Sequence, residues 1–176
     1  TCLYIGDYGV EGGATKSLVN VVVSMKKYCN IYSIVCSSGD RRINKTLNGN
    51  GIENVITDHG SFMVNTPIHL DRKILKYLFR LYHYWLNYYP SIKKAEDNID
   101  FSKVSLIHTN LNRNDLGIEL SKRHHIPNIM HLREFGKEDF NCWTYRRNLI
   151  DYLNTNVDGF IAISNAVKQC WINKGL

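Results

Sequence analysis

The residues whose types and spacing can do chemistry are a glycine pair at a strand-to-helix turn and two histidines at strand ends. Gly12-Gly13-Ala14 lies between an apolar start, Cys2-Leu3-Tyr4-Ile5, and an amphipathic stretch from Ala14 to Lys27. Such a turn leaves backbone N–H groups unpaired at the positive end of a helix, a ready seat for phosphate. It serves equally well as a plain connection between strand and helix. Glycine there allows close approach of an anion and permits positive φ. Further along, Leu106-Ile107-His108-Thr109-Asn110 ends an apolar run in polar residues, and Asn128-Ile129-Met130-His131-Leu132-Arg133-Glu134 does the same. In an open α/β sheet the loops at the carboxyl ends of strands line the ligand crevice. The glycine turn, His108 and His131 are therefore expected along one edge. A helix N-terminus, a histidine, Arg133 and Glu134 on that edge suit a phosphate leaving group beside a hydroxyl nucleophile. The plainer alternatives are a hydrogen-bonded structural histidine and an ordinary Arg133–Glu134 ion pair.

The elements that must position these residues alternate along the chain. Strands are expected at Cys2–Ile5, Ile31–Cys36, Glu53–Thr57, Val104–His108, Asn128–Leu132 and Gly159–Ile163, all short, apolar and rich in β-branched residues. Helical spacing covers Ala14–Lys27, Asp115–His124 before Pro127, and Asn165–Lys174, with Ser164 as N-cap and Gly175 at the C-terminal boundary. Strands alternating with helices imply a parallel sheet with right-handed crossovers, hence one doubly wound, Rossmann-like α/β domain. The interval from Asp58 to Ser102 carries a helical pattern over Asp71–Tyr89 that Pro90 is expected to break. His124-His125 are expected to flank a helix in solvent rather than to bind metal.

Composition narrows the function classes. A chain of 176 residues with 44% hydrophobic and 22% charged content fits one globular domain with a proper core. No apolar run reaches the roughly 18–20 residues of a membrane span, and the strand-like start gives no expectation of a signal peptide. Five cysteines without a C-x-x-C spacing point to neither a disulfide scaffold nor a zinc site, and to a reducing, cytoplasmic compartment. A formal charge of +6 favours an anionic partner. The cluster Gly6-Asp7-Tyr8-Gly9-Val10-Glu11-Gly12-Gly13 is not G-x-G-x-x-G, so Asp40 is not read as a dinucleotide ribose ligand. The P-loop and G-x-S-x-G motifs are absent, as is any nucleic-acid recognition motif.

Taken in order, the segments resemble a known family. Gly12-Gly13-Ala14-Thr15-Lys16-Ser17-Leu18 is similar to the Gly-Gly-Ala-Glu-Arg-Ser-Leu segment of retaining GT-B glycosyltransferases of family 4 (glycosyl transferases group 1). Ile107-His108-Thr109-Asn110, then Ile126-Pro127 with His131-Leu132-Arg133-Glu134-Phe135-Gly136, then Phe160-Ile161-Ala162-Ile163-Ser164-Asn165-Ala166-Val167-Lys168 follow in the family's sequence. The resemblance implies the N-terminal, acceptor-side half of a nucleotide-sugar-dependent enzyme that forms glycosidic bonds in glycans such as capsule or lipopolysaccharide. It implies a catalytic His131 beside the transferred sugar, with Gly12 and Gly13 against the donor diphosphate or the acceptor. His108, Asn110, Arg133 and Glu134 would belong to the substrate-binding surface. No metal or cofactor is implied. Thr15 departs from the family's Glu, so a carboxylate role there is not carried over. No Glu-x7-Glu pair occurs, and the expectation is a half-enzyme whose nucleotide-sugar-binding domain lies outside this chain and which is inactive alone. Two rivals stay open: a GT-B-fold sugar-nucleotide epimerase, and a non-catalytic module for anionic ligands.

The resemblance also implies glycan or lipid-linked acceptors at the inner face of the cell membrane. The basic, aromatic stretch Asp71–Tyr89 fits an interfacial dock, with Lys73, Lys76 and Arg80 for anionic headgroups and Trp85 for the interface. The favoured expectation is the plainer one, an apolar face packed on the sheet with solvated cations.

Overall fold

A computed structural model describes residues 1–7, 13–36, 42–65 and 70–176. The main sheet is built from β1 (Cys2–Asp7), β2 (Ile31–Cys36), β3 (Glu53–Thr57), β5 (Leu106–Thr109), β6 (Asn128–Leu132) and β8 (Gly159–Ala162). All neighbours are parallel, in the order β3-β2-β1-β5-β6-β8. This is the doubly wound, Rossmann-like order 3-2-1-4-5-6 when the sheet's own strands are numbered along the chain, and it matches the expected fold class. A separate antiparallel ribbon pairs β4 (Met63–Asn65) with β7 (Cys142–Thr144). Neither of its strands was expected, because three residues carry no readable period. The helices are α1 (Gly13–Met25), α2 (Arg42–Gly49), α3 (Leu70–Asn98), α4 (Leu116–His124), α5 (Lys137–Phe140), α6 (Leu149–Asn156) and α7 (Asn165–Asn173).

Two glycines let helices come close to the sheet. A Cβ on Gly6 would collide with Leu18 of α1, and one on Gly117 of α4 would collide with Thr109 Oγ1 and lie 3.1 Å from Ile5 Cδ1. Gly6 and Ile5 are consecutive in β1, and consecutive strand residues point to opposite faces. So α1 and α4 cover opposite faces, with Leu3, Ile5, Ile34, Ile107 and Met130 sealed between the layers and the helices. The apolar residues of the expected strands form this core; burial of such side chains contributes roughly 1.5–3 kcal/mol each.

Two helix boundaries behave as their capping chemistry requires. Ser164 accepts a hydrogen bond from the Val167 N–H at 3.2 Å and starts α7, while Gly175 takes φ 99° beyond its end. Pro90 does the opposite of what its ring implies, since α3 runs straight through it for 29 residues. Pro90 and Leu86, whose carbonyl loses its helical partner, are both on exposed surface where water can replace the bond. On the other side Tyr84, Tyr88, Ile92, Ala95 and Ile99 are buried and hold the helix down on either side of the proline. Among the described residues no helix is long and apolar enough to cross a membrane.

Candidate functional site

The carboxyl ends of β1, β5 and β6 meet the N-terminus of α1. Strand register decides which side chains arrive there: Tyr4 lies beside His108, and His108 beside Ile129, so alternation brings Tyr4, His108 and His131 to one face. That face is Gly6's, the one covered by α1. His108 is only 8% exposed, its ring centroid 5.0 Å from Tyr4 and 5.8 Å from His131, which it meets in a stacked arrangement. His131 is half-buried.

Both imidazoles are held neutral. Burial pushes the His108 pKa down to about 4, helped by the repulsion a protonated His108 would meet from His131 and Arg133. Burial and the Arg133 cation bring His131 down to about 4 as well. An ordinary histidine titrates near 6.5, so unfolding takes up protons between about pH 6.5 and 4. The stability these neutral rings contribute is complete above about pH 6.5 and is lost as the pH falls toward 4. Urea midpoints measured across this range are expected to drop steadily, and a His108→Gln/His131→Gln variant to flatten the slope.

Arg133 ties the site to α1. Its Nε donates to the Asn110 carbonyl and to Asn110 Oδ1, both at 3.0 Å, and its Nη2 donates to Asn110 Oδ1 at 2.8 Å and to Ser17 Oγ at 3.1 Å. Asn110 in turn donates its side-chain N–H to the Ala14 carbonyl at 3.3 Å and its backbone N–H to the Ile5 carbonyl at 2.8 Å. Strand ends and helix start are thus cross-braced by one arginine and one amide. The simple Arg133–Glu134 pair is replaced by this arrangement, and Glu134 lies 3.9 Å from Arg113 instead. Nothing in local spacing connects Ser17 to its partner, a residue 116 positions away.

Gly13 opens α1, and a Cβ there would meet nothing within 4 Å. Its φ is outside the positive region, so neither backbone strain nor close packing requires glycine at this position. Gly12 and Asp40 lie outside the described residues. Among the described residues no group of three or more His, Cys, Asp or Glu side chains is placed to hold a metal ion. His125 ends α4 in the left-handed region at φ 54° on exposed surface. His124 is less free than expected, stacking on Phe101 at 4.0 Å and lying 3.0 Å from Glu96.

A second polar cluster, invisible in the sequence, braces the opposite face. Asp115, 0% exposed at the start of α4, lies 2.8 Å from His59 Nε2 and accepts bonds from Tyr84 and from Arg146 Nε at 2.9 Å. Arg146 also reaches Tyr88 and Glu119 at 3.2 Å, and Tyr152 donates to Glu119 at 2.9 Å. Burial pushes the Asp115 carboxyl up, but the His59 hydrogen bond and the His59 and Arg146 charges outweigh it and leave it below the ordinary value. Burial and the Asp115 charge push the Tyr84 phenol far up.

Several solved structures share this architecture. The chain is similar to HepE (Alr3699) of Anabaena in complex with UDP and glucose, with 19% identity over 99% of this chain and 41% of that one, at a TM-score of 0.66. HepE in complex with UDP-glucose gives 17% identity, coverage of 99% and 40%, and a TM-score of 0.61. The fold is that of one half of a GT-B structure. Acinetobacter baumannii MurG, at 13% identity and a TM-score of 0.52, covers 92% of this chain and 40% of its own. The chain therefore spans about two fifths of these structures. It resembles one domain of GT-B glycosyltransferases. No family model and no curated protein matches the sequence.

Proposed function

We propose that the chain is the N-terminal, acceptor-side half of a retaining glycosyltransferase of family 4 that uses a nucleotide-sugar donor and a glycan or lipid-linked acceptor. One observation carries this reading: a neutral His131 stands at the carboxyl edge of a Rossmann-like sheet, on the face that Arg133 and Asn110 lock to the start of α1. In transfer, the bond from the anomeric carbon to the diphosphate breaks and a bond to the acceptor oxygen forms on the same face. The acceptor proton leaves with the departing phosphate oxygen. The anomeric carbon gains positive charge between these events. A cationic histidine there would oppose that charge, whereas a neutral imidazole can hydrogen-bond a sugar hydroxyl without electrostatic penalty.

The other residues follow from the same placement. The first-turn N–H groups of α1, opened by Gly13, face the leaving diphosphate. His108 is a positioning residue, its ring wedged between Tyr4 and His131. Arg133 and Asn110 fix the distance from that helix start to the strand ends, and Glu134 belongs to the acceptor side. Donor specificity lies mostly in the partner domain.

An NMR titration with UDP-glucose, on this chain joined to its nucleotide-sugar domain, tests the reading. Amide shifts at Gly13–Ser17 and a ring shift at His131 are expected. Gly13→Val should abolish both; its Cβ meets no atom within 4 Å, and unchanged circular dichroism confirms the fold. Shifts confined to other surfaces, or a Gly13→Val response equal to the parent's, would overturn it.

A further inference from the structure

Two thiols meet at the amino edge of the sheet, opposite the edge that carries His108 and His131. Cys2 opens β1, and its backbone N–H donates to the Asn30 carbonyl at 2.9 Å. Cys29 ends the turn after α1, where its backbone N–H donates to the Met25 carbonyl at 3.1 Å and its thiol reaches the same oxygen at 3.8 Å. Alternation along β1 puts Cys2 on the face of Tyr4, the one covered by α1. The two thiols are hydrogen-bonded to each other, free of any disulfide, and half-buried against the core. Cys36 is out of reach of this pair. Cys2 is level with Ile31, and Cys36 with Asp7 five residues further along β1, about 16 Å at the rise of a strand. A disulfide needs Cα atoms about 4.4–6.8 Å apart. Cys170 is on α7, which packs on β8, three strands away from β1. A cavity of about 370 Å³ has Cys29 in its wall, beside Lys26, Tyr32, Ile52 and Lys103, and gives a small polar solute a way to that thiol.

We infer that Cys2 and Cys29 are a peroxide-responsive pair that closes a reversible disulfide across the amino edge of the sheet. Cys29 reacts first, because it stands in the cavity wall and Cys2 does not. Burial, and then the hydrogen bond to Cys29, raise the Cys2 thiol above its ordinary value, so it stays protonated at neutral pH. The Cys29 thiolate attacks one oxygen of hydrogen peroxide, the O–O bond breaks, and the leaving hydroxide takes up the thiol's proton as water. Cys29 is then a sulfenic acid. The Cys2 sulfur attacks the Cys29 sulfur, the S–O bond breaks, and the departing hydroxide leaves with the Cys2 proton as a second water. The two thiols lose two electrons in all, and the peroxide gains them. The new bond closes a loop that contains β1 and all of α1. Such a cross-link restricts the unfolded chain and stabilises the fold, and here it also pins the last turn of α1, where helices open first. The inference rests on the amino edge and is independent of the glycosyltransferase reading.

The test treats this chain, joined to its nucleotide-sugar domain, with hydrogen peroxide at neutral pH and maps the unreduced cysteine peptides by mass spectrometry. The expected product is a cross-linked peptide two hydrogens lighter than its separate halves, with fragment ions placing the link between Cys2 and Cys29 and not at Cys36. Dithiothreitol restores both thiols. Oxidation raises the melting temperature of the domain and slows amide exchange at Met25–Cys29. Cys29→Ser, with unchanged circular dichroism, loses the cross-link and both responses, whereas Cys170→Ser keeps them. In Cys2→Ser the sulfenic acid has no second thiol to close on, and dimedone captures it at Cys29. Absence of the Cys2–Cys29 peptide after peroxide, a link that joins either residue to another cysteine, or a melting response that persists in Cys29→Ser overturns the inference.

Discussion

Asp115→Ala is expected to destabilise the domain by about 3–5 kcal/mol, the range for removing one partner of a buried ion pair. The carboxylate is fully buried and gathers His59, Tyr84 and Arg146, which come from the loop after β3, from α3 and from the segment after β7. Its loss leaves a half-buried guanidinium without its closest anion and a buried phenol without an acceptor. Glu119 lies 3.2 Å from the same guanidinium and can recover only part of that attraction. Asp115→Asn keeps the shape and some of the hydrogen bonds and is expected to cost less, about 1–3 kcal/mol. Since the carboxyl titrates below its ordinary value in the folded state, its contribution is present above about pH 4 and is lost as the pH falls through the folded value. Urea unfolding followed by circular dichroism measures the difference, and hydrogen exchange locates it. Loss of amide protection should concentrate around Tyr84–Ile92 of α3. A change below about 1 kcal/mol would mean that apolar packing, not this cluster, holds α3 on the sheet.

Why that cluster could not be read from the sequence bears on how much of the fold could. The strands Cys2–Asp7, Ile31–Cys36, Glu53–Thr57 and Asn128–Leu132 are short β-branched runs between turns, and a strand buried on both faces leaves that mark locally. Their parallel pairing follows from the alternation with helices, whereas their order is read only from the structure. Helix α2 is short and polar, with only Ile43 and Leu47 buried, and no period can be read over so few residues. Asp115 marks a helix start in the sequence, but Arg146 lies 31 positions away and nothing local ties them. Arg133 and Asn110 are 23 apart in the same way. His108 and His131 were legible as neighbours because both stand at carboxyl ends of strands, a relation the topology supplies without any contact being known. The exposure of Ile74, Leu78 and Trp85 on α3 is a different kind of failure. Its apolar residues have helical spacing, but spacing alone does not tell which of two adjacent arcs meets the core.

His131→Ala, in an enzyme carrying this chain together with its nucleotide-sugar domain, is expected to lower transfer by about 10²–10³-fold, the range for losing one preorganised polar group at a developing charge. The fold should survive, since the ring is half-buried and His131 is at most one of several supports for the β5–β6 edge. KM for the donor should move little, because the interaction is made mainly as charge develops. His131→Gln retains an uncharged hydrogen-bonding group and should recover part of the rate. The pH profile separates this role from general acid–base chemistry. With its pKa at about 4, His131 is neutral throughout the range from pH 5.5 upward, so it imposes no inflection on the rate there. A histidine acting as a cation or as a base near neutrality would instead produce a limb close to pH 6.5 that vanishes in His131→Gln. Near-normal turnover of His131→Ala, or such a limb in the parent, would remove His131 from the reaction and leave the paired imidazoles as packing between Tyr4 and the sheet edge.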